Sequence, residues 1–133
     1  TWPDFQLLAK RQIPGDTFLR VDWDVENSSI AVASLAGTLL LLDAQGLESR
    51  WEVEAHPNGC TAVQIFPSAK LVASGGNDAA IRLWNLDTGT PVRSLAQHTA
   101  GISQLLSAPD NFSQSPQMVS LSRDQTVRLW DPQ

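Results

Sequence analysis

The chain contains no tyrosine, one cysteine and two histidines, and it sets only 9 basic residues against 14 acidic ones. Each shortage closes off a class of function. With Cys60 alone, neither an intrachain disulfide nor a cysteine-rich zinc centre can form, which is compatible with the expected intracellular setting, cytoplasm or nucleus, and by itself excludes no compartment. A net charge of −5 repels the phosphate backbone that a nucleic-acid or anionic-membrane binder must neutralise, so direct contact with either is disfavoured. No apolar run reaches the roughly 18 residues of a membrane helix, and the opening residues lack the basic-then-apolar pattern of a leader. The start at Thr1, with no methionine, is what a piece processed or excised from a longer chain would show. At 133 residues with 42% hydrophobic content, one modest core is within reach and two independent domains are not.

What is present is a sentence written more than once. LVASGGNDAAIRLWNLDTG, residues 71–89, returns as MVSLSRDQTVRLWDPQ, residues 118–133, with Asp78 six before Trp84 and Asp124 six before Trp130. Ser74 and Ser120 align with each other. Upstream, EAHPNGCTAVQIFP matches AQHTAGISQLLSAP, which puts His56 and His98 at equivalent places 42 positions apart. The tryptophans are 46 apart, and the extra four residues fall in a longer polar loop at 110–117. A weaker copy at 18–43 has Leu42 at the tryptophan position, a SLAG turn two residues shorter, and no His, Asp or Trp at the positions where the other copies carry them. The interval from Trp2 to Asp16 equals that from Trp84 to His98.

Turn signals cut the central copy into four Val/Ile/Leu-rich strands, expected at 60–66, 70–74, 80–85 and 91–96. No long helical periodicity interrupts them, so an all-β antiparallel meander is the economical reading. The run Leu39–Leu42 is too short for a membrane and suits a strand buried on both faces. Cys60 opens an apolar strand and reads as a small core residue, and the Gly75–Gly76 pair, with no Lys-Ser/Thr after it, reads as turn chemistry.

The LWN and LWD tripeptides, the histidine about one strand before each copy, and the period of 40 to 45 residues together resemble the WD40 repeat family. The likeness runs through essentially the whole chain, with approximate repeats at 1–43 (degenerate), 44–85 and 86–133. It implies four-stranded β-propeller blades, three repeats making part of a ring. In that family the sequence repeat is out of phase with the blade, so residues 5–13 would be the outer strand of a preceding blade and the last blade would lack its own. Propellers close with roughly 4 to 8 blades. The remainder is expected from the same longer chain, or else by self-association.

Ser, His and Asp recurring together is the chemistry of a nucleophilic triad, in which an Asp orients an imidazole that takes a hydroxyl proton. Here His56, Ser74 and Asp78 form one set and His98, Ser120 and Asp124 another. A hydrolase needs one such site, whereas a repeated fold needs the same tie in every well-formed copy. The duplication argues for structure. The resemblance implies the same: in the family, Asp, His, Ser and Trp form a buried network joining a turn to the third strand, here with Trp84 and Trp130 as the indole donors. The first repeat, lacking the set, is expected to be the loosest or to be held by Leu39–Leu42. A metal shared by His56 and His98 is disfavoured because neighbouring blades separate them, and no cofactor is expected.

The expected function is therefore a non-enzymatic scaffold that binds other proteins. Family partners dock on the rim of turns before the first and third strands, which carries over to Gly59, Thr61, Asn77, Gly101, Ser103 and Arg123. Arg123 could offer a guanidinium to a carboxylate or phosphate. Trp51 is expected to pack between blades, and the 110–117 loop to lie on the opposite rim. Purely architectural blades are the alternative, and an enzyme using Ser74 or Ser120 is the third reading.

Overall fold

A computed structural model describes residues 3–108 and 117–131, and eleven β-strands account for their regular structure. The first sheet is β1 (Phe18–Asp24), β2 (Ser29–Ser34), β3 (Thr38–Asp43) and β4 (Ser49–Glu54). The central sheet is β5 (Cys60–Phe66), β6 (Leu71–Gly76), β7 (Ile81–Asn85) and β8 (Pro91–Leu95). The last sheet holds β9 (Ile102–Ser107), β10 (Met118–Ser122) and β11 (Val127–Trp130). Every pairing is antiparallel between strands consecutive in sequence, the all-β meander read from the turn signals. Central-sheet strands match the expected positions to within two residues. The second starts at Leu71 because Lys70 is left-handed at φ 55° and belongs to the turn.

The sheets stack face to face, with their first strands β1, β5 and β9 side by side. Between the first and central sheets, Ala31, Ala33, Leu39 and Leu41 meet Val63, Ile65, Val72 and Trp84. Between the central and last, Ala73, Ile81 and Leu83 meet Ile102, Leu105 and Met118. Both faces of β3 are thus covered: Leu39 and Leu41 face the central sheet, while Leu40 and Leu42 join Val32 on the opposite side, where Ile13, Ile30 and Leu47 pack on them. Each fully buried Leu or Ile contributes about 1.5–3 kcal/mol relative to exposure.

The opposite side of the first sheet is only partly covered, leaving a groove of about 570 Å³ lined by Phe18, Val21, Ile30, Val32 and Leu42, with Arg11 at its edge. Residues 5–13, expected as an outer strand, form no strand among the described residues, and Phe5, Leu7 and Leu8 are exposed. A strand exists only where a neighbour takes its hydrogen bonds, and no described strand pairs with this segment. On the far side, the last sheet has three described strands rather than four, and Val127 and Leu129 are exposed. Of the polar loop at 110–117, all but Gln117 lies outside the described residues, as does Trp2.

The period survives in the backbone where it is lost in residue type. Ser28 and Lys70 are left-handed at equivalent turns, as are Leu47 and Gly89, and Ala79 and Gln125. Gly75–Gly76, by contrast, is not a turn. Both glycines lie in β6, and a Cβ would sit 2.4 Å from the His56 ring at Gly76 and 2.5 Å from Ile102 at Gly75. The pair admits neighbours to the sheet.

The first strands are also tied side to side. Asp22 Oδ2 accepts the Ile65 backbone N–H at 2.6 Å, and Gln64 Nε2 donates to Ser107 Oγ at 3.1 Å. Farther out, Trp51 Nε1 donates to Leu86 O at 2.8 Å, so this half-buried indole bridges the first and central sheets. Cys60 is fully buried, and burial pushes its thiol up to about 12.

Candidate functional site

Two quartets of side chains close at equivalent places. In the central sheet, Trp84 Nε1 donates to Ser74 Oγ at 2.9 Å, Ser74 Oγ lies 2.8 Å from His56 Nε2, and His56 Nδ1 lies 2.9 Å from Asp78 Oδ1. In the last sheet, Trp130 Nε1 donates to Ser120 Oγ at 2.8 Å, with Ser120 2.6 Å from His98 Nε2 and His98 Nδ1 2.7 Å from Asp124 Oδ2. One tautomer satisfies every member: indole N–H to hydroxyl oxygen, hydroxyl to Nε2, Nδ1–H to carboxylate. Ser74 and Ser120 are fully buried and His56 and His98 nearly so. A nucleophile must meet its substrate, and these hydroxyls face an indole.

Arg82 and Thr126 are partners that the sequence pattern did not single out. Ala80 leaves room for Arg82, whose Nη1 donates to Asp78 Oδ2 at 2.7 Å and lies 2.6 Å from His56 Nδ1. The equivalent of Ala80 is Thr126; its hydroxyl donates to Asp124 Oδ1 at 2.6 Å, and Arg128 Nε donates to that hydroxyl at 3.3 Å. The matching Arg in IRLW and VRLW was the available signal. Burial lowers the His56 pKa, against the pull of Asp78, and the Arg82 charge lowers it further. Burial raises Asp78, but hydrogen bonds from Arg82 and His56 outweigh it and hold the carboxyl below its usual range. Asp124 is held low by the Thr126 hydroxyl first, then by His98 and the backbone N–H groups of Thr99 and Thr126.

The first sheet has a substitute for the set it lacks. Asp16 Oδ1 accepts from Thr17 N at 2.7 Å and from Ala36 N at 2.9 Å, and a hydrogen bond with Ser34 is the main cause lowering its pKa. A carboxylate reaching straight to the short SLAG turn thus does without the imidazole. The His–Ser–Asp–Trp network itself is missing from this copy, and Leu39–Leu42 are buried there.

The rim residues divide. Leu35, Asn77 and Arg123 are equivalent, and their backbone N–H groups donate to Thr17 O, Gly59 O and Gly101 O at 2.8, 3.1 and 2.9 Å. Asn77 turns inward: Nδ2 donates to Asn58 O at 2.7 Å, while its Oδ1 is buried without a donor, close to Gly101. Thr61 Oγ1 donates internally, to Gly75 O and Ile102 O. Ser103 is half-buried, and Arg123 is exposed. Leu35, 54% exposed on the same rim, was missed because its copy is degenerate.

Among the described residues no group of three or more His, Cys, Asp and Glu is placed to hold a metal ion, and no helix is long and apolar enough to cross a membrane. Compared with known proteins, residues 47–85 and 89–131 match the profile of the WD40 family, described as WD domain, G-beta repeat. The chain belongs to the WD40 repeat family. Its three sheets are therefore blades of part of a WD40 propeller. The chain is 30% identical over 95 residues to periodic tryptophan protein 2 of Arabidopsis thaliana, covering 71% of this chain and 10% of that protein. It is 31% identical over 118 residues to a guanine nucleotide-binding protein subunit beta of Zea mays, covering 84% and 30%. With nuclear distribution protein PAC1 of Arthroderma otae it shares 28% identity over 135 residues, covering 92% and 28%. The chain thus spans between a tenth and a third of the length of these curated relatives.

Proposed function

We propose that the chain is a stretch of a larger WD40 propeller that serves as a non-enzymatic scaffold, docking other proteins inside the cell on the rim of turns that carries Leu35, Asn77 and Arg123. In this reading the repeats at 1–43, 44–85 and 86–133 are continuous with further blades of the same longer protein. One of those blades covers the groove on the first sheet and takes residues 5–13 as its outer strand.

The observation that carries the reading is the duplicated, buried quartet. Ser74 and Ser120 are 0% exposed and each hydroxyl faces an indole, so the arrangement supports a brace within each blade. Removing one member leaves buried polar partners unsatisfied at about 1–3 kcal/mol. With the hydroxyls enclosed, recognition falls to the surface, and the family is generally non-catalytic. A purely architectural role is favoured by one observation, the inward commitment of the Thr61 and Asn77 side chains at the rim.

The test places a photo-crosslinking amino acid at Ser103 or Thr99 on this rim and, separately, at Asp87 on the opposite rim. A discrete protein adduct from the first positions, absent from the second, is expected. Adducts from neither rim would leave the architectural role, and labelling of Ser74 or Ser120 by a serine-directed fluorophosphonate would overturn the non-enzymatic reading.

A further inference from the structure

Four asparagines lie among the described residues, and three of them hold their carboxamides in hydrogen bonds. Asn27 Nδ2 donates to Asp24 Oδ2 at 2.5 Å while its Oδ1 accepts from Lys70 Nζ at 3.2 Å. Asn77 Nδ2 donates to Asn58 O at 2.7 Å, and Asn85 Oδ1 accepts from the Asp87 and Thr88 backbone N–H groups at 2.9 and 3.1 Å. Asn58 is the exception: it is exposed, and its side chain makes no hydrogen bond among the described residues. The next residue separates the four as well. Ser28, Asp78 and Leu86 carry side chains, whereas Gly59 carries none. Gly59 closes a turn begun by His56, its N–H donating to His56 O at 3.3 Å, at the long end for such a bond. The main chain beside it is committed: Asn58 O takes the Asn77 amide, and Gly59 O accepts Asn77 N at 3.1 Å. Gly59 is also wedged, since a Cβ there would lie 3.0 Å from both Leu35 O and Asn77 Nδ2.

We propose that Asn58–Gly59 is a site of spontaneous covalent modification, at which the exposed carboxamide is lost as ammonia through a cyclic imide. Asparagine is among the thermolabile side chains, and a glycine after it leaves the attacking nitrogen uncrowded. The Gly59 nitrogen gives its proton to solvent base and attacks Asn58 Cγ; the N–Cγ bond forms, the Cγ–Nδ2 bond breaks, and Nδ2 takes a proton from water and leaves as ammonia. Water then opens the imide at either carbonyl. Addition at Cγ breaks its bond to the Gly59 nitrogen and gives aspartate; addition at the main-chain carbonyl breaks the other bond and gives isoaspartate, whose chain runs through Cβ and Cγ. The sum is amide plus water to acid plus ammonia, with no change of oxidation state and no docked partner needed. Either product adds a negative charge to a chain already at −5. Mechanically they differ. Aspartate keeps the backbone and both bonds from Asn77. Isoaspartate inserts a methylene ahead of Gly59, which has no room to shift between Leu35 and Asn77, and makes Asn58 O a carboxylate oxygen off the main chain. The seam between these turns therefore loosens in the isoaspartate form alone.

The experiment incubates the full chain in neutral and in mildly alkaline buffer and follows acid formation at each asparagine by peptide mapping with mass spectrometry. Isoaspartate is counted by transfer of labelled methyl groups from S-adenosylmethionine by an isoaspartyl carboxyl methyltransferase. The expected result is conversion at Asn58 several-fold faster than at Asn27, Asn77 or Asn85, faster again in alkaline buffer, with isoaspartate among the products. Asn58→Gln should lose the fast conversion without moving the melt, because the carboxamide bonds to nothing and the longer side chain closes its ring slowly. Fresh Asn58→Asp, which carries the charge on an unlengthened backbone, should melt with the parent, and the aged chain should melt lower. Conversion at Asn58 no faster than at the other three, a rate indifferent to pH, or aspartate as the sole product would overturn the imide route. An aged chain that accepts methyl groups yet melts with Asn58→Asp would overturn the loosened seam.

Discussion

The central and last blades carry the same four side chains at nearly the same distances, yet they surround the carboxylate differently. In the central blade Asp78 is shared by His56 and a guanidinium, and 16% of its side chain is exposed; in the last, Asp124 is 4% exposed and held by a hydroxyl, two backbone N–H groups and His98. One substitution, Ala80 against Thr126, separates the two. A small residue lets the arginine reach the acid directly, and a hydroxyl pushes the arginine outward and takes its place. The backbone under the histidine differs as well. Gly76 lies against the His56 ring, whereas its equivalent, Ser122, uses its hydroxyl to hold Ala100 O and Gly101 O. The quartet is thus tolerant of its surroundings so long as the acid keeps enough donors.

The sharpest way to break the comparison is Trp84→Ala. It removes both the indole donor and a core ring, and should lower stability by about 3–5 kcal/mol in a denaturant or circular-dichroism melt. Trp130→Ala, at the half-buried position, should cost less. Next comes Gly76→Ser, harmless by analogy with Ser122 but expected to cost about 1–3 kcal/mol here because the new side chain meets the His56 ring. A melt unmoved by Gly76→Ser would show that the two blades hold their histidines alike.

The aspartates should then separate. Asp124→Ala strands Thr99 N and the Thr126 groups, whereas after Asp78→Ala the guanidinium already beside His56 can donate to Nδ1 in the other tautomer. We expect Asp124→Ala to be the more destabilising by about 1 kcal/mol. Equal losses would mean that Arg82 gives no relief.

The smallest effect is in pH. Because His56 in the folded chain titrates below its ordinary 6.5, the unfolded chain takes up a proton that the folded one refuses. Stability is full above about 6.5 and declines as pH falls from there through the lower folded value. The lowered Asp78 and Asp124 add their losses only below the ordinary carboxylate value of 3.8. Arg82→Gln removes a positive neighbour of the imidazole and should flatten the decline between neutral and mildly acid pH, by no more than about 1 kcal/mol. Arg128→Gln, whose guanidinium meets Thr126 instead, should leave that slope unchanged. Melts at matched pH values would decide it.

Much of the architecture is legible because each strand is short, apolar and bounded by turn residues, so that period two and the repeat length point to the same answer. The hydrogen-bonded quartets join residues that the repeat had already aligned. What escaped the sequence is what depends on a neighbour in space. Gly75–Gly76 has the composition of a turn, but proximity of His56 and Ile102 decides its place within β6. Residues 5–13, expected as an outer strand from the family resemblance, pair with no described strand, and a segment without a partner leaves its backbone groups to water. Asp16 was visible only as an interval and not as a stand-in for an imidazole, because a shorter turn brings the backbone to it.

Asp22 has a consequence for how this molecule keeps in solution. The innermost strand of a blade carries amides with no sheet partner, and such a row can template the accretion of foreign strands. By covering the Ile65 amide, the carboxylate of the preceding blade takes up one position where an intruding chain would begin to zip, and places a negative charge beside it. Storage lifetime and turbidity on concentration, more than the melting temperature, are where losing that single carboxylate should register.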